Sequence, residues 1–201
     1  MNKIIPLSIR RFASCSDDCT FKIWKNDDTH ECLSTLKHNG KVSSIIQLRN
    51  QVELVSCGHN SSTGISFWNI NDYTQQRTIE GYCVHSPNQM IELFNGNIAL
   101  FTCNEPYRIV IIARSSYKLL KEIELYGYIT DESSLCTFNE HSFICVYKGT
   151  FLHISNSDFS ILFESSGQFY NGDYNIIPIE QGKYFVLDYR NSVCFIKPEY
   201  A

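Results

Sequence analysis

The sequence has no block of like charge longer than two residues, no long apolar run and no Cys-x-x-Cys pair. Each absence removes a class of function. A sequence-independent phosphate binder carries a basic stripe. Here 17 Lys and Arg stand against 21 Asp and Glu, for a net charge of −4, so nucleic acid is not an expected partner. The longest apolar runs, such as Ile109–Ala113, fall far short of the ~20 residues of a membrane helix, so no membrane partner is expected either. Met1–Leu7 has one lysine and a short apolar run broken by Pro6, which is not the pattern of a secretory leader. The nine cysteines are odd in number. Reduced thiols in a cytoplasmic setting therefore fit better than a disulfide framework.

Catalytic and cofactor motifs are also missing. No Gly-x-Gly-x-x-Gly, phosphate loop, Gly-x-Ser-x-Gly or His-Glu-x-x-His occurs. The histidines (His30, His38, His59, His85, His141 and His153) lack ligand spacing. Cys15 and Cys19 flank a turn, but Cys15 belongs to a repeated column described below, so zinc is not expected there. Asp17-Asp18 and Asp27-Asp28 read as solvated turns. No catalytic residue, metal or cofactor is assigned. What remains is 201 residues, 43% of them hydrophobic, enough to build a core without covalent staples.

That chain repeats itself. Ser14-Cys15-Ser16-Asp17-Asp18-Cys19-Thr20-Phe21-Lys22-Ile23-Trp24 aligns with Ser56–Trp68 once two extra residues are allowed in the second turn. Trp24 and Trp68 are followed at even spacing by Ile112, Ile154 and Ile196, giving intervals of 44, 44, 42 and 42 residues. Cys15, Cys57, Cys103 and Cys145 form a second column, with Leu187 in the fifth repeat. Four cysteines in one column read as a small soft apolar residue filling the same gap, not as redox or metal chemistry. Within each repeat the texture is of short strands. In the second these are Val42–Leu48, Leu54–Cys57, Ile65–Trp68 and Gln75–Ile79, separated by turn residues. Segment 117–125 is the most helix-like stretch, but it occupies a fourth-strand position and is read as a strand. Four strands per 42–44 residues predict an all-β propeller of about five four-stranded blades, near 1–38, 39–82, 83–126, 127–168 and 169–201, the last one incomplete.

Ser14–Trp24 closely resembles the signature of the WD-repeat (Trp-Asp repeat) β-propeller family, Ser-x-Ser-x-Asp-x-Thr-x-Lys-Ile-Trp. The resemblance is sharp in the first repeat, fair in the second and eroded in the rest. It implies that the Trp24 indole meets the Ser14 hydroxyl, with Asp18 in the tight turn before Thr20. It implies the same of Ser56 and Trp68, with His38 completing a buried network. Departures are clear. Asn60 replaces the acid in repeat two, and Pro106, Lys148 and Arg190 stand at that position in the later repeats. The dipeptide Trp-Asp never occurs.

The resemblance implies a rigid scaffold that grips a protein or peptide through its inter-blade loops. Aromatic residues are the natural anchors of such a surface; Tyr82, Tyr126, Tyr128, Phe169 and Tyr170 are the candidates. Tyr82 and Tyr126 have a second reading, in which they replace the structural histidine and pack inward. A degenerate fragment with a purely structural role is the alternative function, and a propeller hydrolase a third. No acid recurs at the start of the first strands, where a channel-lining catalyst would sit. Five repeats fall short of the roughly seven-blade length usual in this family. An open arc or a strained five-blade ring is therefore expected, with self-association through open propeller edges.

Overall fold

The structure, a computed structural model, describes residues 1–8, 10–58, 64–82, 90–102, 105–126, 133–147 and 150–164 in full. Residue 165 and the strands 175–180, 184–189 and 192–196 are described as backbone. Among the described residues there is no helix. Strands pair in chain order into five antiparallel sheets. Sheet 1 is β1 (Lys3–Leu7), β2 (Arg11–Cys15), β3 (Thr20–Lys25) and β4 (Cys32–Lys37). Sheet 2 is β5 (Val42–Gln47), β6 (Glu53–Gly58), β7 (Ile65–Asn69) and β8 (Gln75–Ile79). Sheet 3 is β9 (Met90–Glu92), β10 (Ile98–Phe101), β11 (Arg108–Ile112) and β12 (Leu119–Glu124). Sheet 4 is β13 (Ser134–Asn139), β14 (Ser142–Tyr147), β15 (Thr150–Ser155) and β16 (Ile161–Ser165). Sheet 5 has three strands, β17 (Asn175–Glu180), β18 (Tyr184–Tyr189) and β19 (Ser192–Ile196). The helix-like segment 117–125 is thus strand β12. Its alternating partners, such as Ile109 opposite Ile123, override a modest helical propensity.

The chain divides into two compact units, Met1–Met90 with Phe101–Asn104, and Ile91–Leu100 with Glu105–Ala201. In the first unit the core lies between sheets 1 and 2. Side chains alternate across a strand, so Ala13, Cys15, Phe21 and Ile23 share one face of sheet 1. That face meets Leu54 and Trp68 of sheet 2 in a single buried cluster. Burying a side chain the size of Phe21, Ile23 or Leu54 contributes about 1.5–3 kcal/mol. Polar ties fix the two sheets at their edge. The Val42 amide donates to the Ser16 carbonyl at 3.1 Å, and the Asn2 amide side chain donates to the Val42 carbonyl at 2.9 Å. In the second unit the Asn95 side chain donates to the Asn156 carbonyl at 2.8 Å, and Asn156 in turn donates to the carbonyls of Asn139 and Glu140.

One turn device recurs. Asp18, Asn50, Asp72, Asn95 and Asp158 each accept, through Oδ1, the backbone amide two residues on, at 2.9–3.2 Å. The residue between has positive φ in every case: Cys19, Gln51, Tyr73, Gly96 and Phe159. A left-handed backbone costs a non-glycine residue about 1–2 kcal/mol; the side-chain acceptor stabilises the turn that demands it. Where Thr or Ser follows, its hydroxyl donates to the same oxygen, as at Thr20, Thr74 and Ser160. These bonds hold the carboxyls of Asp18, Asp72 and Asp158 below the usual aspartate value.

Candidate functional site

The tryptophans sit on central strands with their polar partners across the ladder. Trp24 on β3 donates from Nε1 to Ser14 Oγ on β2 at 2.9 Å. Trp68 on β7 donates to Ser56 Oγ on β6 at 2.8 Å. The two indoles differ in what covers them. Trp68 is 4% exposed, and Phe21 from sheet 1 meets it edge-on at 5.0 Å. Trp24 is only partly buried. It stacks on Phe12 of its own sheet at 6.0 Å, with the Lys22 ammonium 5.8 Å from its ring centre.

His38 is buried beside Trp68, its ring 6.4 Å away and tilted. Its backbone amide donates to the Cys19 carbonyl, which seats it against the β2–β3 turn. Its ring nitrogens join no side-chain network among the described residues. Asn60, at the place of the family's acid, lies outside the described residues. Burial pushes the His38 pKa down, against a smaller opposing effect of the Gly40 backbone beside the ring. His38 therefore packs as a neutral ring.

The cysteine column is buried where it is described. Cys15, Cys57 and Cys145 are fully covered; Cys103 lies outside the described residues. Burial pushes the Cys15 thiol up to about 11 and the Cys145 thiol well above its ordinary value. Neither is a thiolate nucleophile at neutral pH.

The tryptophan–isoleucine column divides when register is considered. In sheets 1 and 2 the cysteine pairs three residues before the tryptophan, Cys15 with Phe21 and Cys57 with Ile65. In sheet 4, Cys145 pairs with Leu152, two residues before Ile154. The odd offset puts Trp24 and Trp68 on the face opposite the cysteine, and the even offset puts Ile154 on the cysteine's own face. The β14–β15 hairpin is one residue tighter, with Tyr147 opposite Thr150. Leu187 opposite Cys194 gives sheet 5 the same offset from Ile196. An indole aimed at a serine on the other face has no place there.

Of the partner-binding candidates, Tyr126 stands 90% exposed just after β12. Tyr82 is partly buried after β8, its carbonyl near the Cys57 sulfur. Tyr128, Phe169 and Tyr170 lie outside the described residues, as do Lys148 and Arg190. Pro106 is exposed. Two further tyrosines stand in a repeated column, Tyr73 five residues after Trp68 and Tyr117 five after Ile112. Tyr73 and Tyr117 both occupy left-handed turns before the fourth strand, and each phenol accepts from an arginine, Arg11 at 3.5 Å and Arg114 at 2.7 Å. The tyrosines share a repeat position and a turn conformation, whereas their arginine partners, one far off in the chain and one three residues away, carry no motif.

One pair resembles a catalytic dyad. His153 Nε2 lies 2.8 Å from Ser142 Oγ across β15 and β14. Ser142 also donates to Asn139 Oδ1 at 3.0 Å. The hydroxyl has one proton, and Asn139 takes it, so His153 acts as donor and the serine is not primed as a nucleophile. Ser142 is buried, which fits a cross-strand tie. Among the described residues no three His, Cys, Asp or Glu side chains come together in a way that could hold a metal ion. Neither the models of known protein families nor the curated proteins contain a match to this chain.

Proposed function

We propose that the chain is a WD-repeat-like β-propeller scaffold, with each sheet as one blade, that binds a protein or peptide through the connections between blades. The observation that carries the reading is Tyr126. It projects into solvent from a connection on a frame whose central strands β10, β11, β14 and β15 are largely buried. A large amphipathic ring held out by a rigid sheet loses little conformational freedom on binding, which suits an anchor. The inward-packing alternative for Tyr126 finds no support in its exposure. A binding role is preferred to an enzymatic one because the Ser142–His153 pair is wired as a structural tie.

The test is a photo-crosslinking amino acid placed at position 126, with one at the exposed Gln76 on β8 as control. The reading expects a dominant protein adduct from position 126 and none from position 76. Equal or absent crosslinking at the two sites refutes Tyr126 as an anchor.

A further inference from the structure

An asparagine followed by glycine is open to attack by its own backbone, because glycine has no side chain to keep its amide away from the asparagine side chain. Three such pairs occur: Asn39-Gly40, Asn95-Gly96 and Asn171-Gly172. The last lies outside the described residues. The other two stand in contrasting surroundings. At Asn95-Gly96 every reacting group is engaged. Asn95 Oδ1 accepts from the Asn97 amide at 3.1 Å, and its Nδ2 donates to the Asn156 carbonyl at 2.8 Å. The Gly96 amide donates to the Leu93 carbonyl at 2.9 Å.

Asn39-Gly40 has none of these restraints among the described residues. The pair lies in the short connection between β4, which ends at Lys37, and β5, which begins at Val42. Asn39 is exposed. Unlike Asn50 and Asn95, it does not accept the backbone amide of a left-handed turn. The connection is pinned on either side of the pair instead. The His38 amide donates to the Cys19 carbonyl at 2.9 Å, and the Val42 amide to the Ser16 carbonyl at 3.1 Å. Both pins hold sheet 1 to the start of sheet 2 and leave the reacting groups between them without partners.

We propose that Asn39 is a site of spontaneous deamidation, and that the product alters the junction between sheets 1 and 2. The Gly40 amide loses its proton to hydroxide, and its nitrogen bonds to Asn39 Cγ. The side-chain nitrogen takes a proton from water and leaves as ammonia. Water then opens the five-membered succinimide at one of its two carbonyls. One opening gives aspartate. The other gives isoaspartate, whose main chain runs through the side-chain carbons and is one atom longer. Either product replaces a neutral amide by a carboxylate and takes the net charge of −4 one unit lower. Isoaspartate also lengthens the connection that seats His38 beside Trp68 and leads into β5. The aspartate form keeps the native backbone and should leave that packing intact, whereas the isoaspartate form should weaken it.

The test is incubation of the folded chain at mildly alkaline pH and physiological temperature for several weeks, followed by peptide mapping with mass spectrometry. Asn39 should convert first. Asn95, whose hydrogen bonds must open before it can react, should convert at least tenfold more slowly. In urea the two rates should converge, since the folded surroundings alone separate them. Methyl labelling by an isoaspartyl methyltransferase should mark position 39. The aged parent should melt lower than an equally aged Asn39→Gln variant, in which the same attack would need a six-membered ring. Asn39→Asp should melt like the fresh parent. Conversion of Asn95 as fast as Asn39 in the folded chain overturns the site, as does an Asn39 that survives the incubation. Aged parent and aged Asn39→Gln with equal melts overturn the effect on the junction.

Discussion

Replacing Trp68 by alanine is the sharpest perturbation of the first unit. The indole is 4% exposed, touches Phe21 of sheet 1 edge-on at 5.0 Å and donates to a fully buried Ser56 hydroxyl at 2.8 Å. Truncating a buried tryptophan costs about 3–5 kcal/mol. Part of that is the stranded Ser56 hydroxyl, worth about 1–3 kcal/mol on its own. Trp68→Phe keeps most of the ring and should show chiefly this second loss. Trp24→Ala removes the same side chain from the same strand position, where it is only partly buried. Its cost should be roughly half, because less apolar area returns to water. Urea unfolding followed by far-UV circular dichroism, at concentrations too low for self-association, reads all three. With total stability typically about 5–15 kcal/mol, the Trp68→Ala midpoint should fall steeply. A Trp24→Ala loss equal to or larger than that of Trp68→Ala would refute the one-sided burial of sheet 1.

Thiol labelling in the native state should separate two classes: Cys32 is exposed and should react at once, while Cys15, Cys57 and Cys145 should react only with denaturant present. Fast labelling of the buried three contradicts their packing role. Burial lowers the His38 and His153 pKa values, so the unfolded chain binds protons that the folded chain resists. Their stabilisation is full above about pH 6.5, the unfolded value, and is lost as pH falls below it. The urea midpoint should drop on acidification through this window, and His38→Gln should flatten the slope; a midpoint that rises on acidification contradicts the assignment. Gln51 has φ of 59° in the turn where the third repeat uses Gly96. Gln51→Gly should stabilise by up to about 1 kcal/mol, and a lower melting temperature argues against a strained turn.

The elements most legible in the sequence are those whose chemistry needs two residue types at a fixed cross-strand distance. Ser14–Trp24 and Ser56–Trp68 are donor and acceptor on adjacent strands, so their spacing survives as a motif. The cysteine column is legible because a small gap recurs at one ladder position. The division of the tryptophan–isoleucine column was not, because counting along the chain ignores the turn. One residue fewer in the β14–β15 hairpin moves Ile154 to the other face while the repeat length stays even. The turn carboxylates Asp72 and Asp158 look like ordinary solvated acids, since the left-handed residue beside each is Tyr or Phe rather than glycine. The uneven burial of the two faces of sheet 1 has no sequence signature. Phe12 and Trp24 are as apolar as the residues on the covered face, and only packing tells them apart.

The propeller reading is tested most directly by a crystal structure of the 201-residue chain. It predicts that β1, β5, β9, β13 and β17, the first strand of each sheet, lie innermost around one axis, with β4, β8, β12 and β16 outermost. Sheets stacked face to face in a two-layer sandwich, or first strands that share no common axis, would contradict it.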